Sequence, residues 1–124
     1  MKKLTAQVLV CFFSTLSIYA DLSIHSIFNE NMVIQRNKPV KVWGWATAGD
    51  SITLKFDGQT KSSVCDKSGK WLIILEAMKA NSNNQTMNIK GKSETLELKN
   101  ILIGDVWVAG GQSNMEHALS RVYH

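Results

Sequence analysis

A serine follows two glycines near the end of this 124-residue sequence, in the segment Gly110-Gly-Gln-Ser113. An apolar run at 101–109 precedes it, and a helix-compatible stretch follows it. A strand-to-helix turn of this kind projects a hydroxyl beyond the carboxyl end of a sheet, and glycines leave room for the turn and for substrate. Free N–H groups at the start of the helix would stabilise an oxyanion. The pattern suggests that Ser113 is an acyl nucleophile and that Gly110 and Gly111 shape its turn.

The local motif leaves a second interpretation open. The segment 111–115 departs from the G-x-S-x-G pattern, because Met115 stands where the second glycine would be. Serine is also a common helix N-cap without any chemical role. Gln112 and Asn114 flank Ser113 and are candidate neighbours of a substrate pocket.

No histidine is assigned as the base for Ser113. His117 would lie on the same side of a helix, His124 ends the chain, and His25 lies in a strand-rich region. We interpret each as a surface or packing residue. A serine hydroxyl without a base is a poor nucleophile near neutral pH. We therefore expect the 124-residue chain alone to hydrolyse esters barely above background.

The region from residue 21 to 100 alternates between short strands and turns. Val40–Trp45 and Ile52–Phe56 have alternating apolar residues, and Asp57-Gly58 is a strong hairpin signal. The other predicted strands are 60–65, 71–75, 86–90 and 95–99, and 81–84 is predicted to be a polar loop. This spacing predicts a mainly β fold, an antiparallel β-sandwich resembling a jelly roll, over 21–100.

A second unit is predicted over 101–124. The nearly continuous apolar run at its start is typical of a strand buried on both faces of a parallel sheet. The apolar residues that follow have the spacing of one helical face, and they are Met115, Ala118, Leu119 and Val122. We expect the truncated start of an α/β hydrolase domain, one strand and a partial helix.

Residues 1–20 have the organisation of a secretory signal peptide. Lys2 and Lys3 precede an apolar run at about 8–18, and Ala20 is a suitable residue before a cleavage site. The run is shorter than the roughly 20 residues of a membrane span. We expect a cleaved signal, a secreted or periplasmic protein and no stable membrane insertion. Cleavage would leave only Cys65, interpreted as a small strand residue, and so no intramolecular disulfide.

Charge and composition exclude other classes of function. The formal charge of +4 falls to +2 without the two lysines of the signal, and the remaining lysines are scattered. Nucleic-acid binding is therefore not expected. The histidine, cysteine and acidic residues lack the spacing of metal ligands, so neither a metal nor a cofactor is predicted. The sequence does not specify an oligomeric state.

Three tryptophans support an alternative function. Trp43, Trp45 and Trp71 could form a platform on which sugars stack, which would make the sandwich a non-catalytic glycan-binding or interaction module. Large aromatic residues in a small sandwich more often pack in the core or between domains. A glycan-binding module should expose at least two of these indoles side by side.

The serine segment resembles a known family of enzymes. Gly104–Glu116 is similar to the nucleophile block of the sialate O-acetylesterases, serine esterases of the wider SGNH (GDSL-type) hydrolase group. Segments upstream resemble the β-rich N-terminal region of that family, and these are Ile27–Gln35, Val42–Trp45, Gly49-Asp50 and Gly69–Trp71.

The resemblance implies an exported enzyme that removes O-acetyl esters from sialic acid or related sugars without a metal. It implies that Ser113 is the nucleophile and that its own backbone N–H contributes to the oxyanion hole. Members of the family are several hundred residues longer, and their triad Asp and His and other oxyanion donors lie in that later part. None of those groups can be assigned to a residue of this sequence.

Overall fold

The computed structural model describes residues 21–108 and residue 110. All regular secondary structure in this part of the chain is β-strand. The strands are β1 (Ser23–Ile24), β2 (Val33–Gln35), β3 (Val40–Trp45), β4 (Ser51–Phe56), β5 (Gln59–Val64), β6 (Lys70–Leu75), β7 (Asn81–Lys90) and β8 (Thr95–Gly104). Among these residues there is no helix long and apolar enough to span a bilayer.

The strands form two sheets that enclose one core. One sheet has the order β1-β3-β6 and the other has the order β2-β8-β7-β4-β5. Both sheets contribute to a single cluster of buried residues, whose largest fully buried members are Trp71, Ile52, Leu54, Leu75, Met87, Ile89, Ile101 and Val42. The predicted mainly β sandwich is therefore confirmed.

The side chains of β3 point alternately to the core and to solvent. Val42 is fully buried, whereas Lys41 and Trp45 are exposed. Gly44 is a buried member of the same strand, and a Cβ there would collide with the carbonyl oxygen of Ser23 and lie 2.7 Å from Cζ2 of Trp71. A residue without a side chain therefore lets β1 and the Trp71 ring approach β3 closely.

The predicted hairpin between β4 and β5 is confirmed. Its two turn residues, Asp57 and Gly58, have φ angles of 46° and 72°. Positive φ at both central positions matches the twist of the flanking strands and explains the Asp-Gly pair. Ile52 through Phe56 lie in β4 as expected, and their inward side chains pack in the core.

The predicted polar loop at 81–84 is wrong, because these residues begin β7. Asn81 pairs with Ile103, and the register shifts between Asn81 and Gln85 and again between Gln85 and Met87. The polar side chains at 82–84 are exposed along this irregular end of the strand. A polar sequence is compatible with a strand where both of its faces reach solvent.

The strand expected to open a second unit at residue 101 is the second half of β8. Ile101–Gly104 pairs with β7 on one side and lies parallel to β2 on the other. Residues 101–104 thus belong to the sandwich, and the parallel β2–β8 pair departs from the antiparallel expectation. Ile101 and Ile103 are buried while Leu102 is half-buried, so the run has one core face. The partial helix expected after residue 110 lies outside the described residues.

Candidate functional site

The chain reaches the proposed nucleophile segment through the end of β8. Gly104 is paired with Gln35, the last residue of β2. The N–H of Arg36 donates to the carbonyl oxygen of Gly104 at 2.8 Å. β2 therefore supports β8 up to its final residue, although only three residues of β2 are in regular pairing.

Two side chains hold the residues that leave β8. Nε of Arg36 lies 2.9 Å from Oδ1 of Asp105. Oε1 of Gln35 accepts a hydrogen bond of 2.8 Å from the N–H of Val106. The hydrogen bond from Arg36 is the main reason that the pKa of Asp105 lies below its ordinary value. These contacts fix the direction in which the chain leaves the sheet.

Exposed apolar side chains follow this fixed exit. Val106, Trp107 and Val108 are 47%, 89% and 96% exposed, respectively. Val106 also borders a groove of about 430 Å³, whose other lining residues include Phe28, Met32 and Pro39. Apolar groups in this arrangement mark a surface that favours contact with another apolar surface.

The structure describes one of the five predicted site residues. Gly110 is exposed, and no atom of residues 21–108 lies within 4 Å of a Cβ built on it. Gly111, Gln112, Ser113 and Asn114 lie outside the described residues, as do His117 and His124. The roles assigned to these residues stay predictions.

Cys65 is placed as a packing residue. It is 4% exposed, and its backbone N–H and carbonyl bond to Asp50 and Gly49. Burial, with smaller contributions from Asp50 and Asp66, raises the pKa of its thiol. A raised pKa reduces the fraction of thiolate, which is the nucleophilic form. Within 21–108, no group of three histidine, cysteine or acidic side chains is arranged to hold a metal ion.

The tryptophans divide between the core and the surface. Trp71 is 1% exposed and lies in the core, as the packing interpretation expects. Trp45 is 41% exposed, and Trp43 is half-buried on the same outward face of β3. His25 lies against both, with its ring centroid 5.0 Å from Trp43 and 5.9 Å from Trp45.

Sequence reasoning missed Gln35, Arg36 and Asp105. The ion pair joins residues that are 69 positions apart, so spacing along the chain carries no signal for it. In the sequence alone, Gln35 is only the last residue of a segment that resembles the family. The position of Asp105 is the one signal in the sequence for this ion pair. It directly follows an apolar strand, where a charged residue needs a partner or solvent.

The proteins that this chain resembles are acetylesterases. The sequence is 29% identical over 109 residues to the sialate O-acetylesterase of Mus musculus, covering 80% of this chain and 20% of that protein. The Homo sapiens sialate O-acetylesterase is also 29% identical over 109 residues, covering 80% of this chain and 21% of that protein. The crystal structure of a carbohydrate acetylesterase from Xanthomonas citri superposes with a TM-score of 0.72 at 34% identity, over 76% of this chain and 21% of that one.

Over most of its length, this chain is similar to sialate O-acetylesterases. It spans about a fifth of the length of the relatives that it matches. No family model matches the sequence. The resemblance noted for the sialate O-acetylesterases from short segments is thus confirmed by relatives aligned over most of the chain.

Proposed function

We propose that this chain is part of a carbohydrate esterase that hydrolyses O-acetyl esters of sialic acid or a related sugar, with Ser113 as nucleophile. The observation that carries the proposal is the similarity over 80% of the chain to proteins named sialate O-acetylesterase. The Xanthomonas citri carbohydrate acetylesterase supports the same class of substrate.

The chemistry is acyl transfer in two steps. Oγ of Ser113 attacks the acetyl carbonyl carbon while a base accepts its proton, and the backbone N–H of Ser113 donates to the developing oxyanion. The bond to the sugar oxygen breaks, and the sugar leaves with a proton as an alcohol. Water then attacks the acetyl-serine, which releases acetate and restores the hydroxyl. Gly110 and Gly111 shape the turn, and Gln112 and Asn114 are the neighbours of the bound ester.

Gln35, Arg36 and Asp105 are positioning residues in this proposal. They hold the chain as it leaves β8 at Asp105, eight residues before Ser113. A nucleophile must be held within fractions of an ångström of its reacting geometry, because small misplacements slow the reaction strongly. A fixed exit from the sheet sets the starting point of the polypeptide that leads to the serine.

The base and the other oxyanion donors are supplied by polypeptide other than residues 1–124. Loss of triad groups lowers turnover by about 10⁴- to 10⁶-fold. The 124-residue chain alone is therefore proposed to hydrolyse esters near the background rate.

Residues 1–20 are proposed to direct export, so that the substrate is an O-acetylated sugar outside the cytoplasm. The chemistry needs no cofactor.

A hybrid enzyme tests the proposal. Residues 21–124 replace the matched region of the Xanthomonas citri acetylesterase, and acetate release from an O-acetylated sialic acid and from an acetylated neutral sugar is measured. The expected result is release that falls about 10⁴-fold or more in the Ser113→Ala hybrid. Circular dichroism verifies that both hybrids are folded. A folded hybrid whose activity survives Ser113→Ala would refute the assignment.

A further inference from the structure

The outer face of the three-stranded sheet has a surface that the esterase chemistry does not use. Trp45 and Trp43 lie two residues apart on one side of β3, and Leu72 is directly opposite Trp43 on β6. Leu72 and Ile74 are 46% and 48% exposed. We name the surface formed by Trp43, Trp45, His25, Leu72 and Ile74 the outer aromatic face.

His25 is fixed in the outer aromatic face with a defined tautomer. Its backbone N–H donates to the carbonyl oxygen of Trp43 at 3.0 Å. Its ring Nδ1 accepts a hydrogen bond of 3.2 Å from the N–H of Ile27. The neutral imidazole therefore carries its proton on Nε2, a donor beside the two indoles. Phe28 packs edge-on against Trp43, with ring centroids 5.0 Å apart, so the Trp43 ring contacts both His25 and Phe28.

Two lysines border the outer aromatic face at opposite corners. Lys70 is directly opposite Trp45 in the β3–β6 register, and Lys41 is opposite Ile74. Both are exposed and on the same side of the sheet as the indoles, since residues in register share a face. Directly opposed side chains lie within reach of one molecule.

We propose that the outer aromatic face binds an acidic sugar. The apolar C–H face of the ring stacks on the exposed indole of Trp45, which offers a large rigid surface at small entropic cost. Nε2–H of His25 donates to a hydroxyl or acyl oxygen of the sugar. The carboxylate lies toward Lys70, and the positive border favours an anionic ligand over a neutral one. This site is separate from the proposed acetyl ester site. It rests on the proposed function in one respect, the choice of a sialylated sugar as the probe.

Titration of the full chain with 3′-sialyllactose tests this proposal, with lactose as the matched neutral sugar. Neither carries an acetyl ester, so the readout is independent of hydrolysis. The chain contains four tryptophans, and nitrogen-15 NMR follows the signal of each indole N–H during the titration. We expect the signals of Trp45 and Trp43 to shift on addition of 3′-sialyllactose while those of Trp71 and Trp107 stay in place. Lactose should bind about three-fold more weakly.

Three variants separate the contributions. Trp45→Ala should abolish the shifts, and Lys70→Gln should remove the preference for 3′-sialyllactose while lactose binding is unchanged. Val64→Ala is the control, because Val64 is 63% exposed on β5 of the other sheet. Lys70→Gln keeps the indoles intact, so it remains informative if Trp45→Ala unfolds.

Several results would overturn the proposal. Equal affinity for the two sugars would show that this face does not prefer an acidic sugar. Unchanged Trp45 and Trp43 signals at saturating sugar would show that no sugar binds there. Sedimentation that shows a dimer dissociated by Trp45→Ala would mean that a second copy of the chain covers this face. Sugar binding without acetate release by the hybrid would contradict the proposed function alone, so the two failures are distinguishable.

Discussion

Arg36 and Asp105 form an ion pair in which Nε and Oδ1 are 2.9 Å apart, and it joins the residue after β2 to the residue after β8. The parallel pairing of β2 with β8 brings these two residues together at the same edge of the sheet. Because the chain leaves β8 at Asp105, the pair holds the first residue after the strand against the end of β2.

Arg36→Gln should raise the pKa of Asp105 toward its ordinary value. The guanidinium hydrogen bond stabilises the carboxylate and is the largest cause of the lowered pKa. A lowered pKa in the folded protein adds stability above the ordinary range of Asp, and this stability is lost as the pH falls through the lowered value. The variant should therefore lose less stability on acidification. Carbon-13 NMR of the Asp105 carboxyl measures the pKa directly.

The pair of Lys61 and Glu76 offers a matched control for this experiment. Their Nζ and Oε1 atoms are 2.9 Å apart, and the hydrogen bond lowers the pKa of Glu76 in the same way. Lys61→Gln should raise the pKa of Glu76 and leave that of Asp105 unchanged. If the pKa of Asp105 is the same with and without the Arg36 guanidinium, the ion pair does not stabilise the Asp105 carboxylate.

Gly44→Ala should destabilise the sandwich more than Gly58→Ala. A Cβ at Gly44 meets the backbone of β1 and the buried Trp71 ring, so strands or core must move, at a cost of about 3 kcal/mol. A Cβ at Gly58 meets nothing within 4 Å but is held at a φ of 72°, which costs about 1 kcal/mol. Urea unfolding of both variants measures the difference. Equal losses would mean that the close approach of β1 to β3 does not contribute to stability.

Trp71→Ala should lower the free energy of unfolding by about 4 kcal/mol, because it opens a cavity in the core shared by both sheets. Trp71 is 1% exposed and is the largest fully buried side chain. Trp107→Ala is the matched control, since Trp107 is 89% exposed, and it should change the stability by less than about 0.5 kcal/mol. Thermal or urea unfolding compares the two. A large loss in Trp107→Ala would show that this indole packs against residues outside 21–108.

Local sequence signals predicted the parts of the fold that depend on neighbouring residues. The alternation in β3 and β4 depends on side chains two positions apart. The turn between β4 and β5 depends only on Asp57 and Gly58, which adopt the positive φ angles that it needs. The start of β7 and the length of β8 depend instead on pairing with distant strands. Asn81 is in a strand because Ile103 lies opposite it, which no local pattern encodes.

The motif around Ser113 indicates a candidate site, which stays a prediction, but it does not indicate the contacts that hold the chain before it. Ser113 and the glycines before it form a recognisable pattern, and the relatives aligned over most of the chain are named as acetylesterases. Gln35 and Arg36 reach their partners only after β2 and β8 have paired in parallel. Contacts made by tertiary structure between residues far apart in the chain leave no periodic trace in a single sequence.

Covalent labelling of the hybrid enzyme tests the central assignment most directly. A fluorophosphonate reacts with a serine only where a base and an oxyanion hole activate its hydroxyl. The hybrid that carries residues 21–124 is treated with the reagent and digested, and the modified peptide is sequenced by mass spectrometry. We predict a single adduct on Ser113, lost in the Ser113→Ala hybrid together with acetate release. An active hybrid labelled on a different serine, with Ser113 unmodified, would contradict the account.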